Sequence, residues 1–75
     1  MKNRLKSIRS EQNLTQEKLA EKAGISRTTL AMIENEKAIP DGNTIAALVK
    51  ALSVPANVIF FDFDVVRKQR EDGGL

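Results

Sequence analysis

The side chains that most often carry out reactions are missing from this chain. Its 75 residues include no Cys, no His, no Tyr and no Trp. Without Cys there is no disulfide and no thiolate metal site, and without His as well nearly all triad chemistry and most transition-metal sites disappear. Asp62 and Asp64 offer two carboxylates, too few oxygens to hold a hard cation. No glycine-rich loop is present to cradle a phosphate. An enzyme has no basis here, and neither a cofactor nor a metal is expected. What remains is recognition through hydrogen bonds and charge. Arg27-Thr28-Thr29 places a guanidinium fork and two hydroxyls on successive residues, a set able to address the edge of a hydrogen-bonding partner.

These residues need a rigid mount, and the pattern around them supplies one. Thr15 and Ser26 are N-cap candidates, since each hydroxyl can accept from the free amides of the turn that follows. Between them Leu19, Ala20 and Ala23 form one apolar face, with Glu17 in the first turn, where the helix dipole favours an acid. Gly24 supplies a positive φ without steric cost, Ile25 plugs the turn, and Ala20 is small where two axes must approach. From Arg27 to Asn35 a second short helix buries Leu30 and Ile33. Thr28 and Thr29 are mediocre helix formers, so Arg-Thr-Thr in an exposed first turn points to selection for contact. This is a helix-turn-helix, two short helices joined so that the start of the second projects from the surface.

The flanking segments complete the domain. Leu5 and Ile8 predict a helix from Lys2 to about Gln12, stopped at Asn13, which tolerates the left-handed conformation. Pro40 forces an extended connector, and Asp41 caps a fourth helix running to about Leu52 with Ile45, Leu48, Val49 and Leu52 on its inner face. Ser53-Val54-Pro55 breaks it, and a fifth segment runs from Ala56 to about Phe61. A chain of this length has material for one core only. No apolar run approaches the ~20 residues a membrane helix needs, and no export signal is legible at the N-terminus, so a cytoplasmic location is expected. Residues 1–10 carry Lys2, Arg4, Lys6 and Arg9 with no acid, which suits a polyanionic partner or simply a solvated helix face.

Leu14-Thr15-Gln16-x-x-Leu19-Ala20, Gly24-Ile25-Ser26, Ile33-Glu34-Asn35, Pro40 and Leu52-x-Val54 follow one another in a single register. In this the chain resembles the phage repressor/Cro superfamily of helix-turn-helix regulators, the xenobiotic-response-element-like group, over residues 2–61. The resemblance implies an all-α fold, a compact five-helix bundle with a lambda-repressor-like DNA-binding domain. It also implies a transcriptional regulator, a repressor, that binds operator DNA through the major groove as a homodimer. By position, Gln16 resembles a glutamine that bonds a phosphate and braces the recognition helix. Arg27 and Thr28 match the first base-reading positions and Met32 another; Thr29 matches a position facing the backbone, and Ser26 starts the helix beside it. Asn35 and Lys37 match the loop that meets phosphate. Arg27 can offer its fork to guanine O6 and N7, while Thr28 or Met32 can touch a thymine methyl; alternatively Arg27 meets phosphate and Met32 fills a core edge. Arg9 and Glu34 match a structural ion pair tying the first helix to the third. Glu36 departs from the pattern, which commonly has Gly there. Either Asn35 takes the left-handed role or the loop differs, and an acid beside phosphate weakens the contacts assigned to Asn35 and Lys37.

The C-terminal residues are read as a separate unit, residues 62–75, after a DNA-binding domain over residues 1–61. Phe61-Asp62-Phe63-Asp64-Val65 alternates as a half-buried strand does, and the charged end with Gly73-Gly74 is expected to fray. Phe60, Phe61 and Phe63 are more aromatic bulk than one small core needs. Ile59, Phe61, Phe63 and Val65 are therefore expected to form a homodimer interface, with Phe60 the core member; the alternative is a segment folded back on its own bundle. A rival function is a protein-interaction module, such as an antitoxin, in which these rings capture a second regulatory protein.

Overall fold

A computed structural model describes residues 2–60 as five helices in chain order: α1 (Leu5–Glu11), α2 (Gln16–Ala23), α3 (Arg27–Glu34), α4 (Gly42–Leu52) and α5 (Ala56–Ile59). The fold is the all-α, five-helix bundle anticipated from the pattern. The alternating segment 61–65, the unit 62–75, and with them Phe61, Phe63 and Val65, lie outside the described residues.

Each helix is too short to persist alone, so packing and end chemistry must hold it. Leu5, Ile8, Leu19, Ala20, Leu30, Ile33, Leu48, Leu52, Ile59 and Phe60, drawn from every helix and its flank, are at most 5% exposed. Leu14, Ile25, Ile45, Val49 and Val54 pack around them. The three expected N-caps form: Thr15 accepts from the amide of Lys18 at 3.0 Å, Ser26 from that of Thr29 at 3.0 Å, and Asp41 from that of Thr44 at 2.8 Å. The Thr44 amide, and then its hydroxyl, hold the Asp41 carboxyl below the ordinary carboxylate range.

The first three helices end alike. Asn13, Gly24 and Glu36 adopt φ of 59°, 70° and 62°. At each, the amide of the following residue reaches back to a carbonyl five positions earlier: Leu14 to Arg9 at 3.0 Å, Ile25 to Ala20 at 3.0 Å, Lys37 to Met32 at 2.8 Å. This paired closure satisfies carbonyls that the helix end would leave bare. A Cβ on Gly24 would meet nothing within 4 Å, so glycine serves the dihedral angle there and not the space. At the third closure the question left open by the sequence is decided: Asn35 keeps φ at −88° and Glu36 takes the left-handed position.

Two boundaries differ from the periodicity reading. The first helix begins at Leu5, not Lys2, because Asn3 leaves the helical path. Its Oδ1 accepts from the Leu5 amide at 3.1 Å and its Nδ2 donates to the carbonyl of Ile33 at 2.8 Å. The last helix stops at Ile59, not Phe61, because Phe60 is extended (φ −117°, ψ 108°) and pairs antiparallel with Asn3, while the Arg4 amide donates to Ile59 at 2.8 Å. A short polar side chain that competes for backbone partners ends helices in this way.

A non-glycine residue in the left-handed region costs about 1–2 kcal/mol. Glu36→Gly is therefore expected to raise stability by about 1 kcal/mol, after allowing for the larger entropy glycine loses on folding. Urea unfolding midpoints of the two proteins check this, and an unchanged or lower midpoint contradicts the strain at Glu36.

Candidate nucleic-acid interface

Three helices meet at one carboxylate. Glu34, the last residue of α3, has a side chain only 1% exposed, so that residue's remaining exposure lies on its main chain. Arg9, in the last turn of α1, donates Nε to Oε2 at 2.7 Å and Nη2 to Oε1 at 3.3 Å. Its third nitrogen, Nη1, donates to the carbonyl of Leu14 at 2.9 Å. Gln16, the first residue of α2, donates Nε2 to Glu34 Oε1 at 3.0 Å. The Arg9–Glu34 pair expected from the resemblance is thus present, and Gln16 joins it. The forked geometry leaves neither ion without partners, which is the condition under which a buried pair is tolerated.

The bracing part of the role assigned to Gln16 is visible in this bond. No other hydrogen bond of its side chain forms among the described residues, so one amide N–H and the carboxamide oxygen remain for an outside partner. Gln16 lines an open cleft of about 600 Å³ together with Arg9, Thr15, Glu17 and Arg27.

The start of α3 stands out from the surface. Ser26, Arg27, Thr28 and Thr29 are all exposed, and Met32, one turn further on, is 43% exposed. Arg27 forms no ion pair among the described residues. The Ser26 hydroxyl, besides capping the helix, bonds Thr29 Oγ1 at 2.8 Å. Asn35 and Lys37 are exposed on the loop closing the helix. The eight residues expected to meet DNA therefore fall along the start of α2, the outer face of α3 and the loop after it. Leu30 and Ile33 hold the other face of α3 in the core.

One expected interface residue is misplaced. Ile59 is 0% exposed and belongs to the core, so it is not available to a second subunit in this fold. Successive helix positions are turned by about 100°, and in α5 it is Val58, 38% exposed, that faces outward. Two features were not singled out in the sequence. Glu17, read there only as a complement to the helix dipole, shares the cleft with Arg27; its place directly after Gln16 was the available signal. Ile39, 75% exposed beside Pro40, has no periodicity to announce it. No helix among the described residues is long and apolar enough to cross a membrane.

A short helix whose leading turn is presented outward, steadied by a preceding helix through a buried ionic brace, defines a DNA-binding helix-turn-helix module. Comparison with known proteins agrees. The Helix-turn-helix family model matches residues 5–59. An immunity repressor protein of Bacillus phage phi105 is 36% identical over 69 residues, covering 92% of this chain and 48% of that protein. An uncharacterized HTH-type transcriptional regulator of Methanocaldococcus jannaschii is 43% identical over 60 residues, 80% of this chain and 91% of that one. Among solved structures, the restriction-modification controller protein C.AhdI from Aeromonas hydrophila superposes with a TM-score of 0.72 at 28% identity, over 76% of this chain and 86% of that one. This chain belongs to the Cro/C1-type helix-turn-helix family of DNA-binding transcriptional regulators. It spans about half the length of the phage repressor it matches.

Removing one member of a buried, hydrogen-bonded ion pair strands the other. Arg9→Leu is expected to cost about 3–5 kcal/mol, and Arg9→Leu combined with Glu34→Leu clearly less. Chemical denaturation of both variants decides it; a double variant no more stable than Arg9→Leu would mean that the carboxylate carries no desolvation penalty.

Proposed function

We propose that this chain represses transcription in the cytoplasm by binding operator DNA as a homodimer, with α3 of each subunit in the major groove. The carrying observation is the exposed first turn of α3, Arg27 and Thr28 foremost, held to the core through Glu34, Arg9 and Gln16. A major groove about 12 Å wide admits such a helix. In this reading Arg27 gives its fork to guanine O6 and N7, and Thr28 and Met32 meet thymine methyls. Gln16, Thr29, Asn35 and Lys37 bond phosphates, and Ser26 does so through its main-chain amide, its hydroxyl proton being given to Thr29; these contacts fix register and orientation but carry no sequence information. A phage immunity repressor among the relatives supports the repressor role. Residues 1–61 form the binding domain, and the second subunit is engaged through the segment that follows α5, with Phe61, Phe63 and Val65 in the contact. Two-fold symmetry then sets two half-sites about one helical turn apart.

The rival reading, a partner-binding component of a regulatory complex, places Phe61 and Phe63 against a different protein; a monomer in solution would favour it. Selection of bound duplexes from a random pool is expected to yield a palindromic consensus. Against that consensus, Arg27→Ala is expected to cost about 1–3 kcal/mol and to flatten the base preference at one position per half-site. Equal losses on the consensus and on random duplex would remove Arg27 from base reading. For phosphate contact the readout is salt: Lys37→Ala is expected to lower the slope of log K against log salt by about one per bound Lys37. An unchanged slope would place Lys37 outside the footprint.

A further inference from the structure

We propose that Glu17 is a specificity-determining residue, one that weakens the grip of Arg27 on phosphate while leaving its contact with a base intact. The inference rests on the reading that Arg27 meets DNA. Glu17 and Arg27 line the same open cleft, together with Gln16, Thr15 and Arg9. The other charge of that cleft is already spoken for, since Arg9 gives Nε and Nη2 to Glu34 and Nη1 to Leu14. Arg27 is thus the cation of the cleft open to an outside partner, and Glu17 is the anion that faces the same space. Both side chains are exposed, and neither is ion-paired with a described residue.

An exposed guanidinium on a DNA-facing surface has two classes of partner. A phosphate is available at every register of any duplex and supplies the sequence-independent attraction. A guanine edge is available at few. The phosphate carries a full negative charge and the base edge carries none, so a carboxylate lining the arginine's cleft penalises the first partner more than the second. At the start of α2 the acid is tolerated because it complements the helix dipole, so it costs the fold nothing to keep it. The consequence is discrimination by weakening the wrong complex, the repulsive half of specificity.

The test compares the full chain with Glu17→Gln, which keeps size and helix position and removes the charge. Each binds a random-sequence duplex and the consensus duplex selected by the unaltered protein, at one fixed salt concentration. Glu17→Gln is expected to bind random duplex about fivefold tighter and the consensus within about twofold of the parent, as expected for loss of one nearby repulsion in partly screened solvent. In an Arg27→Ala background the same substitution should lose most of its effect on random duplex, which a merely structural role for Glu17 would not produce. Equal tightening on both duplexes, no tightening on random duplex, or an effect that persists without Arg27 would each overturn the proposal. Failure of the underlying reading looks different: the unaltered protein then shows no preference between the two duplexes, or Arg27→Ala weakens both alike.

Discussion

A carboxylate almost without access to water is the fixed point of this molecule. Glu34 ends α3, and its two oxygens receive donors from the last turn of α1 and the first residue of α2. Charge in that position is tolerable only with complete hydrogen bonding, and complete hydrogen bonding requires the three helix ends to sit in one arrangement. The bridge therefore specifies orientation as much as it stabilises. Hydrophobic burial alone is non-directional and would hold α2 against α3 through several neighbouring angles. The angle matters here because it sets how far the other end of α3 stands out from the surface.

The outward end of α3 has no such anchor, and it needs none. Ser26 caps it, the Ser26 and Thr29 hydroxyls are bonded to each other, and Leu30 holds the underside in the core. Polar side chains are left exposed on a turn whose entry is fixed by its cap. Ordering such a surface at the moment of binding would cost conformational entropy; here most of the backbone share of that cost is met by folding. The cleft beside it is lined by both an arginine and a glutamate, so the charge on that face is of mixed sign.

The two ends of the described chain are joined. Asn3 bonds the start of α1, the carbonyl of Ile33 near the end of α3, and pairs with Phe60 just beyond α5. The end of α5 is thus linked through Asn3 and Arg4 to the inner end of α3.

The sequence by itself determined the identity of the elements and the turn that projects. Caps, the Gly24 turn and the 3.6-residue spacing of Leu19, Leu30, Ile33, Leu48 and Leu52 are local signals, written within a few positions of the structure they produce. Resemblance to a family supplied the pairing of Arg9 with Glu34, 25 residues apart, which no local rule contains. Tertiary structure alone decided the rest. It took Asn3 out of the first helix by offering it the carbonyl of Ile33 and an edge at Phe60, put Glu36 rather than Asn35 in the left-handed position, turned Ile59 inward and Val58 outward, and placed Glu17 and Arg27 on one cleft. Each of these depends on what lies opposite in space, and periodicity specifies a face without naming its neighbour.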